Sequence, residues 1–155
     1  MNILRFGWAA AFLALFGCGG PVPADMFLTM TASGEGVKVE GSVNGKPNEF
    51  LSGGEGGALV TSMPLNKFVH EGENEVSFVL TRSSDDAEFI PSFRAVLEIS
   101  IKGEIVDSMA PGERIIFDRQ MSEEEAASVA AGETVTITER FTVEKEKLAA
   151  MKAAN

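Results

Sequence analysis

The sequence predicts a mainly β protein, an antiparallel β-sandwich with a short helix near residues 122–131 and a helical C-terminal tail. From Met26 onward, apolar residues mostly alternate with polar ones, which is the period of strands that bury one face. Gly, Asn and Pro residues separate these short runs at a spacing typical of sandwiches. A chain of 155 residues suits one domain with one hydrophobic core.

The first predicted element is a β-hairpin. A run of valines with one parity ends at Val43 and is followed by Asn44-Gly45, which favours a type I′ turn because both positions need positive φ. Pro47 cannot donate a hydrogen bond to a ladder, so the returning strand, around residues 48–51, is expected at a sheet edge.

Two strands follow, separated by turns. The glycine-rich residues 53–57 predict a flexible loop, and residues 58–62 a short strand. Pro64–Leu80 then combines an apolar turn, a tight turn and an alternating strand, and it resembles segments of extracellular β-sandwich and jelly-roll modules. The resemblance implies a fold and no activity. Gly72 and Asn74 are expected to supply left-handed turn geometry.

The C-terminal part predicts four more strands, with a helix between the last two. Ser122 and Glu125 form a capping box that starts a helix to Ala131, and Gly132 ends it. The strand before Ser122 is expected over residues 114–118, after a strand at 104–108 and a turn at 111–113. The apolar positions of the two clearest strands are Phe93, Ala95, Leu97, Ile99 and Ile101, and then Val135, Ile137, Phe141 and Val143.

Residues 144–155 form a charged, Ala-rich tail with helical composition. Leu148 and Met151 lie three residues apart and share one helix face. A frayed terminus is the expectation for this tail, and docking of a partner protein is the alternative.

The amino terminus has the composition of an export signal. A short segment with one positive charge, at Arg5, precedes an apolar run from Trp8 to Phe16. That run is shorter than the roughly 20 apolar residues that a membrane-spanning helix needs. We therefore expect residues 1–17 to be a signal peptide.

The segment Leu15-Phe16-Gly17-Cys18 resembles the lipobox of bacterial lipoproteins. The resemblance implies cleavage between Gly17 and Cys18 and attachment of lipid to the Cys18 thiol; an ordinary signal peptide with an incidental cysteine is the alternative. By resemblance to enterobacterial sorting, Gly19 favours the outer membrane, facing the periplasm or the cell surface. Residues 18–25 would be a tether, residues 26–143 the domain.

Net charge argues against one class of partner, and the cysteine count argues against an internal disulfide. The chain has 13 Lys and Arg against 23 Asp and Glu, a net charge of −10, and no basic cluster, so nucleic acid is not an expected partner. Cys18 is the sole cysteine, so the domain is expected to be stable without an internal disulfide. No cofactor is expected.

Candidate catalytic and metal residues are few. His70 is the one histidine, and we expect it to be exposed and structural rather than a general base. The chain does not offer the set of nitrogen and sulfur ligands that a zinc site needs. The glycine-rich residues 53–57 lack the Lys-Ser/Thr continuation of a phosphate-binding loop. Two acidic groups could offer oxygen ligands to calcium, although solvated loops are the expectation: Glu71, Glu73 and Glu75, and Asp85, Asp86 and Glu88.

Three functions follow, in decreasing order of expectation. The first is a non-enzymatic envelope lipoprotein that binds another protein as an accessory or scaffold module. The second is a carbohydrate-binding module, in which Phe68, Phe89 or Phe93 would replace the Trp and Tyr that usually stack on sugars. The third is a carboxylate-based hydrolase.

Overall fold

The computed structural model describes residues 26–55, 57–83, 90–101 and 114–153. These residues form two four-stranded antiparallel sheets and two short helices. The predicted mainly β fold is confirmed. The strands are β1 (Met26–Glu35), β2 (Val37–Val43), β3 (Lys46–Pro47), β4 (Ala58–Pro64), β5 (Gly72–Arg82), β6 (Ser92–Ile101), β7 (Ile115–Gln120) and β8 (Val135–Val143).

The strand order interlocks the two sheets. The first sheet has the order β4-β1-β6-β7 and the second β3-β2-β5-β8. The chain passes from β1 to its neighbour-in-sequence β2 in the other sheet, and later from β4 to β5 in the same way. β4 pairs with β1, and β5 pairs with β2. Each sheet therefore contains one strand from each of the two connections that cross between the sheets.

Alternation along the strands builds the core between the sheets. Val76, Phe78 and Leu80 of β5 are fully buried, as predicted. The ring of Phe78 lies 5.0 Å from that of Phe93 on β6, centroid to centroid, and thereby joins the two sheets. Each buried side chain of this size stabilises the fold by about 1.5–3 kcal/mol relative to exposure.

The predicted hairpin is confirmed, and its returning strand is shorter than expected. Asn44 and Gly45 have φ values of 51° and 72°, both positive as a type I′ turn requires. β3 lies at a sheet edge but ends at Pro47. Residues 49–51 form a 3-10 turn instead of a strand, because Asn48 caps that turn with its side chain.

The first two glycines of the glycine-rich segment lie against β2. Gly53 exchanges two backbone hydrogen bonds with Val39 of β2, and the prediction of a loop is wrong there. Gly54, with a φ of 87°, lies so close to the Val37 carbonyl that a side chain would not fit. The strand expected at 58–62 is present as β4.

One helix agrees with its predicted start and end, whereas the helix expected to be a frayed tail is part of the core. Helix α1 (Glu123–Ala130) begins with the predicted capping box of Ser122 and Glu125 and is followed by Gly132 at a φ of 89°. Helix α2 (Lys145–Ala153) is neither frayed nor available to a partner through its apolar face. Leu148 and Met151 are 8% and 1% exposed and belong to the core of the domain.

Several predictions lie outside the described residues. They concern the signal peptide, Gly17, Cys18 and the tether, the acidic loop with Asp85, and the elements expected over 102–113.

Candidate functional site: an aromatic surface on one side of the sandwich

Two phenylalanine side chains lie exposed beside each other on the side of the sandwich where β3 and β4 are the edge strands. Phe50, in the 3-10 turn, is 59% exposed, and Phe68, in the turn after β4, is 42% exposed. Both border a groove of about 440 Å³, and we call the two rings with this groove the aromatic surface. The other residues that line the groove are Ser62, Met63, Pro64, Asn66 and Lys67.

Side-chain hydrogen bonds of Asn48, which is buried, and Ser52, which is half-buried, hold the turn that carries Phe50. The Asn48 side-chain oxygen accepts a hydrogen bond from the Phe50 N–H at 3.0 Å. The Ser52 hydroxyl donates to the Asn48 carbonyl at 2.8 Å and accepts from the Gly41 N–H at 3.0 Å. Gly41 is required here because a Cβ at that position would lie 2.5 Å from the Leu51 carbonyl oxygen. The turn is therefore fixed directly against β2.

An asparagine pair holds the turn that carries Phe68. The Asn44 amide donates to the Phe68 carbonyl and to the Asn74 side-chain oxygen, both at 3.0 Å. Asn74 is 1% exposed, and its side chain accepts from the His70 N–H and donates to the carbonyls of His70 and Gly72. Gly72 has the expected left-handed geometry, with a φ of 92°. Asn74, also expected to supply turn geometry, is a residue of β5, and it is its side chain that holds the turn.

A third asparagine connects the Phe68 turn to both ends of the domain. The Asn66 side-chain oxygen accepts from the Leu28 N–H at 2.9 Å, and its amide donates to the Met151 carbonyl at 3.2 Å. Next to it, the Leu65 N–H donates to the Leu28 carbonyl at 2.6 Å. Strand β1, the turn and α2 are thus joined behind the aromatic surface.

The opposite side of the sandwich, where β7 and β8 are the edge strands, is held by charges. Arg119 of β7 makes ion pairs with Glu125 of α1 and with Glu139 of β8, the latter at 3.5 Å. Burial, the largest single influence, raises the pKa of Glu125. Hydrogen bonds from the Ser122 N–H and from Arg119 together outweigh it, and the pKa of Glu125 lies below its ordinary value.

The candidate catalytic and metal-binding residues do not converge. His70 is exposed, as expected, and its Nδ1 lies 2.9 Å from the Glu71 carbonyl oxygen. Glu75 pairs with Arg140 at 3.1 Å rather than with other carboxylates. Among the residues that the structure describes, no three His, Cys, Asp or Glu side chains are placed to hold a metal ion together.

Of the phenylalanines proposed to stack on sugars, only Phe68 has an accessible ring among those described. Phe93 is 3% exposed and packs against Phe78 in the core, so its proposed role is wrong, and Phe89 lies outside the described residues. Sequence reasoning missed Phe50. Adjacent apolar residues at Phe50 and Leu51 cannot both face the core of a strand, and this break in alternation was the available signal.

The fold and this surface define a small interlocked antiparallel sandwich with a preformed, exposed aromatic pair. No helix within the described ranges is long and apolar enough to cross a membrane. Comparison with known proteins found no protein family, no curated protein and no solved structure that matches this chain.

Proposed function

We propose that the protein is a lipid-anchored lipoprotein of the bacterial cell envelope that acts by binding, as an accessory or scaffold module, and not by catalysis. The anchor rests on the resemblance of Leu15-Phe16-Gly17-Cys18 to a lipobox. Acyl chains on Cys18 would each contribute about 0.8 kcal/mol per buried methylene, enough together for stable attachment. The expected membrane is the outer one, facing the periplasm or the cell surface.

The aromatic surface is the observation that supports a binding role. Aromatic side chains are enriched in the cores of protein interfaces, and rigid ones lose little conformational entropy on association. Phe50 and Phe68 stand on turns held by side-chain hydrogen bonds from Asn48 and Asn44, so their positions are set before any contact is made. The surface is expected to contact another component of the envelope, and the accessory or scaffold role adds a protein partner.

A carbohydrate-binding module is the second candidate, and the exposed ring of Phe68 beside Phe50 favours it. A glycan array probed with the full chain and with Phe68→Ala tests this candidate. Binding that disappears in Phe68→Ala would support it, and silence of the unaltered chain would remove it. A carboxylate-based hydrolase is the third, tested by turnover of envelope polysaccharides and esters.

The test of the main proposal is mass spectrometry of the protein purified from bacterial membranes, with Cys18→Ala as the unanchored control. We expect an amino-terminal peptide that begins at an acylated Cys18, and release of Cys18→Ala from the membrane fraction. Crosslinking in the native envelope should then join the anchored form reproducibly to one protein and lose that product in Cys18→Ala. An unmodified Cys18 would contradict the anchor, and turnover lost on substitution of a surface carboxylate would contradict the non-enzymatic role.

A further inference from the structure

We infer that the aromatic surface lies on the bilayer that holds the lipid anchor, so that Phe50 and Phe68 enter the membrane interface and fix the orientation of the domain. This inference rests on the proposed lipidation of Cys18. It commits the surface to lipid, and it leaves the remaining faces of the domain for the envelope partner.

The direction of β1 places the Phe68 part of the aromatic surface at the end of the domain nearest the anchor. Thr29, three residues after the first residue of β1, lies opposite Pro64 of β4. The Phe68 turn follows Pro64 directly and is bonded to Leu28 through Asn66. The surface therefore lies beside the point where the chain would arrive from Cys18.

The length of chain before β1 restricts how far this end can be from the membrane. Eight residue steps separate Cys18 from Met26, which span at most about 28 Å when fully extended. Strand β1 covers ten residues, about 30 Å from its first to its last Cα atom. A lipid on Cys18 therefore keeps the Phe68 end near the bilayer.

Two exposed isoleucines also lie at this end, while Val60 and Ile90, which are 84% and 79% exposed, lie elsewhere on the domain. Thr29 lies opposite Glu98 of β6, and Glu98 lies opposite Ile115 of β7, so Pro64 and Ile115 are at one level across the first sheet. Ile115 and its neighbour Ile116 are 39% and 37% exposed. The domain thus presents apolar groups on both margins of the end from which the anchor would emerge.

The charges next to the aromatic surface give it no preference for anionic lipid. Glu49 and Lys67 border its two sides and carry one charge of each sign. The chain as a whole, with a net charge of −10, is repelled by anionic headgroups. Contact through apolar rings is therefore expected with phosphatidylcholine alone and without dependence on salt, whereas a basic docking surface would need anionic lipid.

Tryptophan fluorescence tests this inference, because Trp8 is the one tryptophan and lies before Cys18. Full-length Phe68→Trp is produced in bacteria, purified in its acylated form and reconstituted in phosphatidylcholine vesicles with or without brominated acyl chains. Phe50→Trp gives a second reporter on a different turn. Ile90→Trp is the matched control, because Ile90 is 79% exposed and precedes Ser92, which pairs with Glu35 at the opposite end of β1.

We expect blue-shifted emission that brominated lipid quenches in Phe68→Trp and Phe50→Trp, and no quenching in Ile90→Trp. Acylated protein that floats with the vesicles while neither aromatic-surface reporter is quenched would overturn the inference and leave the proposed anchor intact. The same lack of quenching, with a spectral shift on adding an envelope protein or glycan, would identify a different occupant. An unacylated Cys18 by mass spectrometry would overturn both proposals.

Discussion

The two sides of the sandwich, where the edge strands of the sheets meet, are held by different chemistry. On the β3–β4 side, neutral amides of buried asparagines hold two turns and leave aromatic rings exposed. On the β7–β8 side, Arg119 joins both sheets and α1 through Glu125 and Glu139. Hydrogen bonds between neutral groups do not titrate and are little affected by salt, whereas partly exposed ion pairs are screened and titrate.

This difference suits the two sides to different tasks. If the aromatic surface meets an apolar phase, as inferred above, supports made of neutral groups cost less to desolvate than ion pairs would. On the same inference the charged side would remain in water, where its ion pairs contribute a modest increment of stability. Variants on each side therefore separate the effect of neutral supports from that of ion pairs.

The largest effect is expected from Asn74→Ala on the neutral side. The substitution removes the partner of half-buried groups of His70, Gly72 and Asn44, and a group left unsatisfied costs up to about 1–3 kcal/mol when it is buried. We expect the free energy of unfolding to fall by about 3 kcal/mol in urea denaturation. Ser77→Ala, which removes an exposed hydroxyl contact in the same strand, should change it little. Equal losses of stability in the two variants would show that the hydrogen bonds of Asn74 stabilise the fold no more than an exposed hydroxyl contact does.

A smaller loss is expected from Gly41→Ala. The new Cβ would press on the Leu51 backbone and push the Phe50 turn away from β2, and overpacking of this kind costs about 1–3 kcal/mol. Thermal unfolding should show the loss, and a Phe50→Trp reporter in the same chain should show a changed emission spectrum. Ser42→Ala at the neighbouring half-buried position is the control. An unchanged unfolding temperature in Gly41→Ala would mean that the turn is not fixed in place.

On the charged side, Ser122→Ala should cost about 1 kcal/mol, the usual value of an N-cap hydroxyl. The Ser122 hydroxyl accepts from the Glu125 N–H at 3.2 Å, and the Glu125 carboxylate accepts from the Ser122 N–H at 2.7 Å. Urea denaturation measures the loss, and Ser128→Ala within α1 provides a comparison that should be neutral or slightly stabilising. A loss as large as that of Asn74→Ala would reverse the ranking of the two sides.

The smallest effect is expected from pH and salt acting on the same cluster. The pKa of Glu125 is lower in the folded state than its ordinary value, so its stabilising contribution is present above the ordinary pKa and is lost as pH falls through the folded value. The ion pair with Arg119 should contribute about 0.5 kcal/mol at neutral pH and less in high salt. Glu125→Gln should therefore flatten the acid limb of a stability profile measured from pH 7 to pH 3, while Glu124→Gln at an exposed position of α1 should not.

Local patterns predicted much of the secondary structure. Asn44-Gly45 predicted the turn, Ser122 with Glu125 predicted the start of α1, and the parity of Val76, Phe78 and Leu80 predicted a core face. Each of these depends on backbone geometry or side-chain spacing within a few residues, which a sequence contains directly. The same local reasoning failed at residues 49–51, where one buried capping side chain replaced a strand with a turn.

By itself, the sequence determined the alternation that makes a sandwich, the turns that separate its strands and a lipobox-like segment at Cys18. Only the tertiary structure decided that β4 and β5 return to β1 and β2, that Leu148 and Met151 complete the core, and that Phe50 and Phe68 meet in one surface. Those features depend on contacts between residues far apart in the chain. Such contacts depend on how apolar faces and amide groups from different segments pair with one another, and no single segment specifies that pairing.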